Sequence, residues 1–277
     1  MIERFAQRLG EAVARRESQI VLGLDPDPAE LWPAAGGADG PAVARHCRAV
    51  IAAAGGACVA VKAQLACFER LGAAGWVALE QTVEAAHEAD LLVIADAKRG
   101  DVPVTASAYA EAFAALGADA FTANPLLGRD SLEPLVASGR GVFVLVRTSN
   151  PGAADVQDLE LAAGGPLWER LARLVDELAG GGSGLSDVGA VLGATRSEHL
   201  ERARELMPRA VFLLPGVGAQ GGRVEDLAPA FAPGRAAGLV TASRAIVDAH
   251  RQGGADPASA AAAAAERLRA GAWSLSA

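Results

Sequence analysis

Short apolar runs, rich in β-branched residues, recur along the chain and alternate with segments whose apolar residues are spaced at three and four positions. The runs have the length of strands, and the spacing between them is typical of helices that cover one face of a sheet. This alternation predicts repeated strand–helix units and therefore a parallel sheet. We predict eight strands, at residues 18–25, 58–64, 91–98, 119–124, 141–149, 188–195, 210–217 and 238–243.

Eight strands, each followed by a helix, favour a closed barrel over an open, doubly wound sheet in a chain of 277 residues. An open sheet of that kind often carries a GxGxxG motif after its first strand, and none is found there. We therefore predict an α/β fold, a (β/α)₈ TIM barrel, with residues 1–277 forming a single domain.

The charge balance and the apolar runs limit the partners of the chain. A formal net charge of −8 offers no broad basic surface, so we expect no nucleic-acid partner. The first 18 residues carry charges throughout, unlike a signal peptide, and no later run is long and apolar enough to span a membrane. Cys47, Cys58 and Cys67 match no zinc spacing. We expect a cytoplasmic protein with partly buried, reduced thiols and no membrane partner.

Lysine is rare in this chain. Of the 25 basic residues only Lys62 and Lys98 are lysines, and the others are arginines. Arginine serves wherever a permanent positive charge is enough, whereas the lysine ammonium can also give up its proton. The two lysines are therefore candidates for acid–base chemistry.

Charged residues gather where the first three predicted strands end, which is the catalytic end of such a barrel. Asp25 ends the first strand, Lys62 lies late in the second, and Asp96 and Lys98 end the third, with Asp101 just beyond. Because side chains alternate along a strand, Asp96 and Lys98 are expected on the same side. We predict an alternating array of Lys62, Asp96, Lys98 and Asp101 at the mouth. The alternative is a set of exposed salt bridges of little energetic value.

Features of an anion site follow the seventh and eighth strands, where barrels frequently bind phosphate. The segment PGVGAQGG (215–222), which includes Gly218, is rich in glycines that let backbone N–H groups approach an anion. Arg244, just past the eighth strand, can add a planar guanidinium clamp. A plain tight turn would also explain the glycines.

Neutral polar residues follow the fifth strand. Thr148, Ser149 and Asn150 can hydrogen-bond an amide-bearing ring, although Asn-Pro-Gly is equally a good turn sequence.

The four histidines fall in predicted helices, and we expect them at the surface; they are His46, His87, His199 and His250. No HExxH, GxSxG or P-loop motif is present, which argues against metallohydrolase, esterase and NTPase chemistry.

The segment DAKRGDVPVTA (96–106) resembles the signature of orotidine 5′-phosphate decarboxylases, an Asp-x-Lys-Arg-x-Asp segment followed by a hydroxyl residue. Further segments are similar to the family's longer bacterial branch and extend the resemblance over nearly the whole chain. They are LGLDPD (22–27), AVKAQLACFE (60–69), TANPLLG (122–128), RTSNPGA (147–153), PGVGAQGG and SRAI. The resemblance implies the conversion of orotidine 5′-monophosphate to uridine 5′-monophosphate and CO₂, without a metal or cofactor.

The resemblance also implies a role for each charged residue at the mouth. Lys98 corresponds to the family's proton donor, Asp96 to the carboxylate beside the substrate carboxylate, and Lys62 to the lysine that completes the charge network. Asp101 and Thr105 correspond to residues that enter the partner subunit's site, which implies a homodimer with shared active sites.

For the rest of the substrate, the resemblance assigns Asp25 to the ribose and Ser149 to the pyrimidine ring. Gln220 and Arg244 match the phosphate grip.

Three other functions remain open on the sequence. A magnesium-dependent sugar-phosphate decarboxylase or synthase of the same barrel type shares the Asp-x-Lys core. A Schiff-base aldolase would use Lys98 or Lys62 against a carbonyl, although the flanking aspartates favour a charged lysine. A barrel that only binds a phosphate ligand would have no need of both lysines and both aspartates.

Overall fold

The computed structural model describes residues 4–194, 197–217 and 222–276, in which eight parallel strands form a closed barrel. The strands pair in chain order, and the first pairs with the eighth to close the ring. Strands β1 to β8 are Ile20–Leu24, Ala60–Gln64, Leu92–Arg99, Ala120–Ala123, Gly141–Arg147, Val188–Leu192, Phe212–Leu214 and Gly238–Ala242. The predicted (β/α)₈ TIM barrel is confirmed, and each predicted strand overlaps an observed one.

Helices cover the outside of the barrel between successive strands. Helices α1 to α10 are Phe5–Arg16, Gly40–Ala54, Leu65–Glu69, Ala73–Glu88, Pro103–Leu116, Arg129–Val136, Leu167–Ala179, Ser197–Leu206, Arg244–Val247 and Pro257–Leu275. The expectation of a helix after every strand needs one correction, because a 3₁₀ helix, Val224–Phe231, covers the position after β7. Pro229 lies inside this segment, and its ring and missing N–H disfavour a regular α-helix there.

Helix α1 closes the amino-terminal end of the barrel. Its buried residues Phe5, Leu9 and Val13 pack with residues that point into the barrel, including Phe143 of β5. The rings of Phe5 and Phe143 meet edge to face with their centroids 5.9 Å apart. This apolar plug leaves the opposite end, where the strands terminate, as the open mouth.

Close packing of β1 against β8 fixes the wall beside the mouth. A side chain at Gly23 would put its β-carbon 2.8 Å from the Cβ of Ser243, so glycine is required there for the two segments to approach. Leu22 pairs with Ala242 just below this contact. Asp25 and Arg244, which follow these two strands, are consequently carried to the same side of the mouth.

Other expectations from composition can be compared with the fold. Cys47 and Cys58 are buried, Cys67 is half-buried, and all three are free thiols, as predicted.

His46 is buried, so the expectation of four surface histidines is wrong at this position. It lies on the face of α2 that packs against the barrel, together with Val43 and Cys47. Within the described ranges, no helix is long and apolar enough to cross a membrane.

Candidate active site

A cavity of about 480 Å³ opens at the carboxyl end of the strands. Asp25, Lys62, Asp96 and Lys98 line one side of it, and Arg244 also reaches it. A barrel interior is otherwise apolar, so charged groups at this depth require partners or a chemical role. The mouth therefore contains most of the candidate residues that the sequence singled out.

Asp96 is the centre of the charged network. Its carboxylate accepts a hydrogen bond from Lys62 Nζ at 2.6 Å through Oδ2 and one from Lys98 Nζ at 2.5 Å through Oδ1. The Asp25 Oδ1 atom lies 3.7 Å from Lys62 Nζ and extends the chain of opposite charges. The structure thus brings together Asp25, Lys62, Asp96 and Lys98.

Two neutral side chains that the sequence analysis missed complete the coordination of Asp96. Gln64 donates from Nε2 to Oδ2 at 3.2 Å, and the Thr122 hydroxyl donates to Oδ1 at 2.9 Å. Gln64 follows Lys62 by two residues on the same strand, so strand alternation could have placed it on the inner face. Thr122 is buried late in β4, and the same reasoning would have identified it.

The charges in this network shift the pKa values of its buried members. Burial by itself would raise the pKa of the Asp96 carboxyl, but the ammonium groups of Lys62 and Lys98 outweigh burial and lower it to about 2. Burial would likewise lower the pKa of the Lys62 ammonium, yet Asp96 and Asp25 outweigh it and raise that pKa. Both groups are therefore held in their charged forms at neutral pH.

The backbone at Lys98 is unusual. Its φ of 49° lies in the left-handed region, which a lysine rarely adopts, and the pairing of β3 with β4 is irregular between Ala95 and Arg99. The Lys98 N–H donates to the Thr122 hydroxyl at 2.8 Å, which holds this conformation in place. Strained backbone that its surroundings hold in place is often found at functional sites.

Neutral polar groups line the wall that follows β5. Thr148, Ser149 and Asn150 all border the cavity, as the sequence suggested. Gln157, which the sequence analysis missed, lies on the same wall and accepts through Oε1 from the Thr148 N–H at 2.8 Å. It is nine residues farther along an irregular loop, where no periodicity signals its position.

The anion-binding side of the mouth is only partly described. Arg244 is exposed, follows β8 directly and lines the cavity together with Pro215, Gly216 and Val217. Arg244 makes no ion pair with any other residue in the described ranges. Gly218 and Gln220, the other residues predicted to hold an anion, lie outside the described residues.

Asp101 and Thr105 do not join the network within one chain. The Asp101 carboxylate accepts from the N–H of Val102 at 2.7 Å, and neither residue is among those that line the cavity in the described part of the chain. A single chain therefore does not complete the predicted four-residue array, and Asp25 extends the network instead. Their predicted entry into a partner's site concerns a second subunit and stays a prediction.

Comparisons with known proteins agree with this geometry. The family model described as "Orotidine 5'-phosphate decarboxylase / HUMPS family" matches residues 18–264. The orotidine 5′-phosphate decarboxylase of Haloarcula marismortui is 46% identical over 88% of this chain and 86% of its own length. That of Halorubrum lacusprofundi is 45% identical over 88% and 87% of the two chains. The structure of Leishmania donovani OMP decarboxylase superposes with a TM-score of 0.82 at 33% identity, covering 98% and 99%.

Proposed function

The chain belongs to the family of orotidine 5′-phosphate decarboxylases, and we propose that Lys98 is the proton donor of a reaction that needs neither a metal nor an organic cofactor. The activity is that of a carboxy-lyase in pyrimidine biosynthesis, which converts orotidine 5′-monophosphate to uridine 5′-monophosphate and CO₂. We assign the steps of this reaction and the contacts to its substrate to individual residues below.

One observation carries the proposal: both oxygens of the Asp96 carboxylate are hydrogen-bonded to lysine ammonium groups at the mouth of the barrel. Such a group of fixed charges can stabilise a developing negative charge without reorganisation during the reaction. Loss of CO₂ leaves an electron pair at carbon 6 of the pyrimidine, in the plane of the ring, where it cannot delocalise well. An ammonium directed at this carbon stabilises the electron pair.

Lys98 is better suited than Lys62 to deliver the proton. Its side chain is 42% exposed, against 8% for that of Lys62, so solvent can return the proton that it gives to carbon 6. In the reaction the bond from carbon 6 to the carboxylate breaks and its electron pair stays on carbon 6. That pair then takes the proton from Lys98 Nζ. Lys62, buried and paired with Asp96 and Asp25, keeps its charge and orients both carboxylates.

Groups on the other sides of the mouth hold the rest of the nucleotide. In this proposal Asp25 binds the ribose and Ser149 contacts the pyrimidine ring. Arg244 grips the phosphate together with Gln220 and the backbone near Gly218. Binding energy from the phosphate and the ribose, far from the bond that breaks, then keeps the ring against the charges.

A homodimer with shared sites is part of the proposal. Asp101 and Thr105 flank two exposed valines, Val102 at 54% and Val104 at 84%, and exposed apolar residues in one area are typical of a protein interface. Leu126 is 74% exposed on the neighbouring segment after β4, whose Asn124 contacts the Gly100 region. Association through this surface would bring Asp101 and Thr105 to the mouth of the partner subunit.

Two wider features complete the proposal. We take residues 1–277 to be one catalytic domain, because all eight strands belong to one closed barrel. A cytoplasmic location fits both a role in pyrimidine biosynthesis and the three free thiols.

The nearest alternative is a magnesium-dependent enzyme of the same barrel type. A cation would have to displace an ammonium group from Asp96, whose two oxygens already accept from lysines, so the observed pairing favours the metal-independent reaction. The test is an ultraviolet assay of the purified protein with orotidine 5′-monophosphate in excess EDTA, with added magnesium as the control. Unchanged turnover supports the proposal, whereas loss of activity that magnesium restores contradicts it.

A further inference from the structure

Two segments meet beside the cavity, and each carries a residue of the proposed site. The segment after β1 begins with Asp25 and runs to Trp32, and the helix after β8, α9, begins with Arg244 and ends at Val247. The position of the Arg244 guanidinium therefore depends on where this short helix lies relative to the first segment.

A second cavity, of about 400 Å³, separates the two segments. Pro26, Asp27 and Glu30 line one side of it, while Val247 and Arg251 line the other. Ile246 of α9 is buried in the core, but this space interrupts close packing on the side of α9 that faces the segment after β1. Individual contacts therefore fix α9 relative to that segment.

Trp32 makes a buried contact between the segment after β1 and α9. It is 4% exposed, and its indole Nε1–H donates to the Val247 carbonyl at 3.0 Å. Val247 is the last residue of α9, where carbonyl groups lack partners within the helix. The His250 imidazole lies 3.2 Å from the same carbonyl, and a salt bridge between Arg251 and Glu30 adds a surface contact.

His46 in turn fixes Trp32. The backbone N–H of Trp32 donates to His46 Nδ1 at 3.0 Å, and the two rings meet edge to face with centroids 5.5 Å apart. Burial lowers the pKa of His46 to about 4, against the opposing effect of Asp248. The imidazole is therefore neutral at physiological pH, which leaves Nδ1 free to accept this hydrogen bond.

We infer that Trp32, held by His46, is a positioning residue that fixes α9 and so sets the place of the Arg244 guanidinium at the mouth. This inference rests on the proposed function, in which Arg244 grips the substrate phosphate. Trp32 is not among the residues that line the reaction cavity in the described part of the chain, so its effect on the substrate passes through other residues, and its hydrogen bond to α9 assigns that effect to Arg244.

The test compares steady-state kinetics of Trp32→Phe with those of the parent enzyme. Phenylalanine keeps a buried ring but removes the indole donor. Loss of one hydrogen bond predicts a KM for orotidine 5′-monophosphate raised about threefold to tenfold, with kcat changed less than twofold. Trp168→Phe is the matched control. Trp168 is also buried and packs on a histidine, His199, but Trp168 belongs to α7 and not to the segment after β1. We expect its KM to equal that of the parent.

A double-mutant cycle with Arg244→Ala decides whether the effect passes through the guanidinium. If Trp32 acts through Arg244, Trp32→Phe adds no increase in KM in the Arg244→Ala background. The same increase in both backgrounds, or no increase in the parent, overturns the inference. Should Arg244→Ala alone leave KM unchanged, the phosphate role of Arg244 fails, and the inference fails with it for that separate reason.

His46 offers a second pair of variants in case Trp32→Phe does not fold. The side-chain oxygen of His46→Asn can replace Nδ1 as the acceptor, whereas His46→Leu leaves the Trp32 N–H without a partner. We expect KM near that of the parent for His46→Asn and a raised KM for His46→Leu. Equal KM values for the two variants would overturn the inference.

Discussion

The ammonium group of Lys98 lies 2.5 Å from the carboxylate of Asp96, two residues before it on the same strand. A regular strand would place both side chains on one face, but here the contact forms at a residue with φ of 49°, where the strand pairing becomes irregular. The ammonium is thereby fixed at the rim of the cavity, while its partner carboxylate is buried below it.

The carboxylate at the centre of this network also contributes to stability, and Asp96→Asn tests how much. Because its pKa in the folded protein is about 2, below that of an unfolded aspartate, the ionised form stabilises the fold. The expected loss for Asp96→Asn near pH 7 is about 2–3 kcal/mol in the free energy of unfolding. Activity should fall by at least about 100-fold, because Lys62 and Lys98 lose the group that orients them.

The sign of the pH dependence follows from the lowered pKa. The contribution of Asp96 is fully present above about pH 4 and disappears as the pH falls towards 2. Urea unfolding of parent and variant between pH 7 and pH 2.5 should show the two stabilities converging in acid. A difference that stays constant over this range would contradict the charge network.

The opposite end of the barrel should affect stability without affecting catalysis. Asp119 accepts from the Val93 N–H at 2.8 Å, pairs with Arg8 of α1 at 2.7 Å and lies 3.2 Å from His87 Nε2. We expect Asp119→Asn to lower the free energy of unfolding by about 1–3 kcal/mol, since a buried group loses partners. Thermal unfolding measures this loss, and the kcat/KM of the folded fraction should match that of the parent. A large drop in kcat/KM would contradict the assignment of catalysis to the mouth alone.

The proposed dimer surface can be tested at Val104. An aspartate there would bury a charge in the interface, so Val104→Asp should yield monomers at micromolar concentration in sedimentation velocity. Val156→Asp is the control, because Val156 is also exposed, at 50%, but follows β5. Dimers of the Val104 variant as stable as those of the parent would place the interface elsewhere.

Shared active sites make a separate prediction about mixed subunits. Lys98→Ala and Asp101→Ala should each be nearly inactive alone, but a mixed dimer has one site with both changes and one site with neither. Co-refolding equal amounts should therefore restore about a quarter of parental activity, since half of the dimers are mixed and each has one intact site. Activity no higher than the sum of the two variants would show that Asp101 does not act across the interface.

The strand order and much of the site followed from the sequence, because periodicity reflects burial directly. Strand alternation predicted that Asp96 and Lys98 share a side, and the only two lysines marked both cations of the network. The same rule would have found Gln64 and Thr122. They were missed because a neutral polar side chain in a strand does not by itself indicate acid–base chemistry.

Other features depend on tertiary contacts that the sequence pattern does not encode. His46 was expected at the surface because the residue type alone does not show whether a histidine lies on the buried or the exposed face of a helix. It is buried against Trp32. Gln157 reaches the site from an irregular loop, and a 3₁₀ segment that contains Pro229 replaces the α-helix expected after β7. Each depends on long-range packing or on a local backbone restriction that competes with periodicity.

The most direct test of the central claim is the rate of CO₂ release from orotidine 5′-monophosphate by Lys98→Ala, measured beside the affinity for uridine 5′-monophosphate. Lys98→Arg serves as the companion variant, because it keeps the charge but cannot readily give up a proton. If Lys98 stabilises the electron pair and protonates carbon 6, Lys98→Ala lowers kcat by at least about 1000-fold while nucleotide affinity changes less than about tenfold. Turnover by Lys98→Ala within tenfold of the parent would contradict the account.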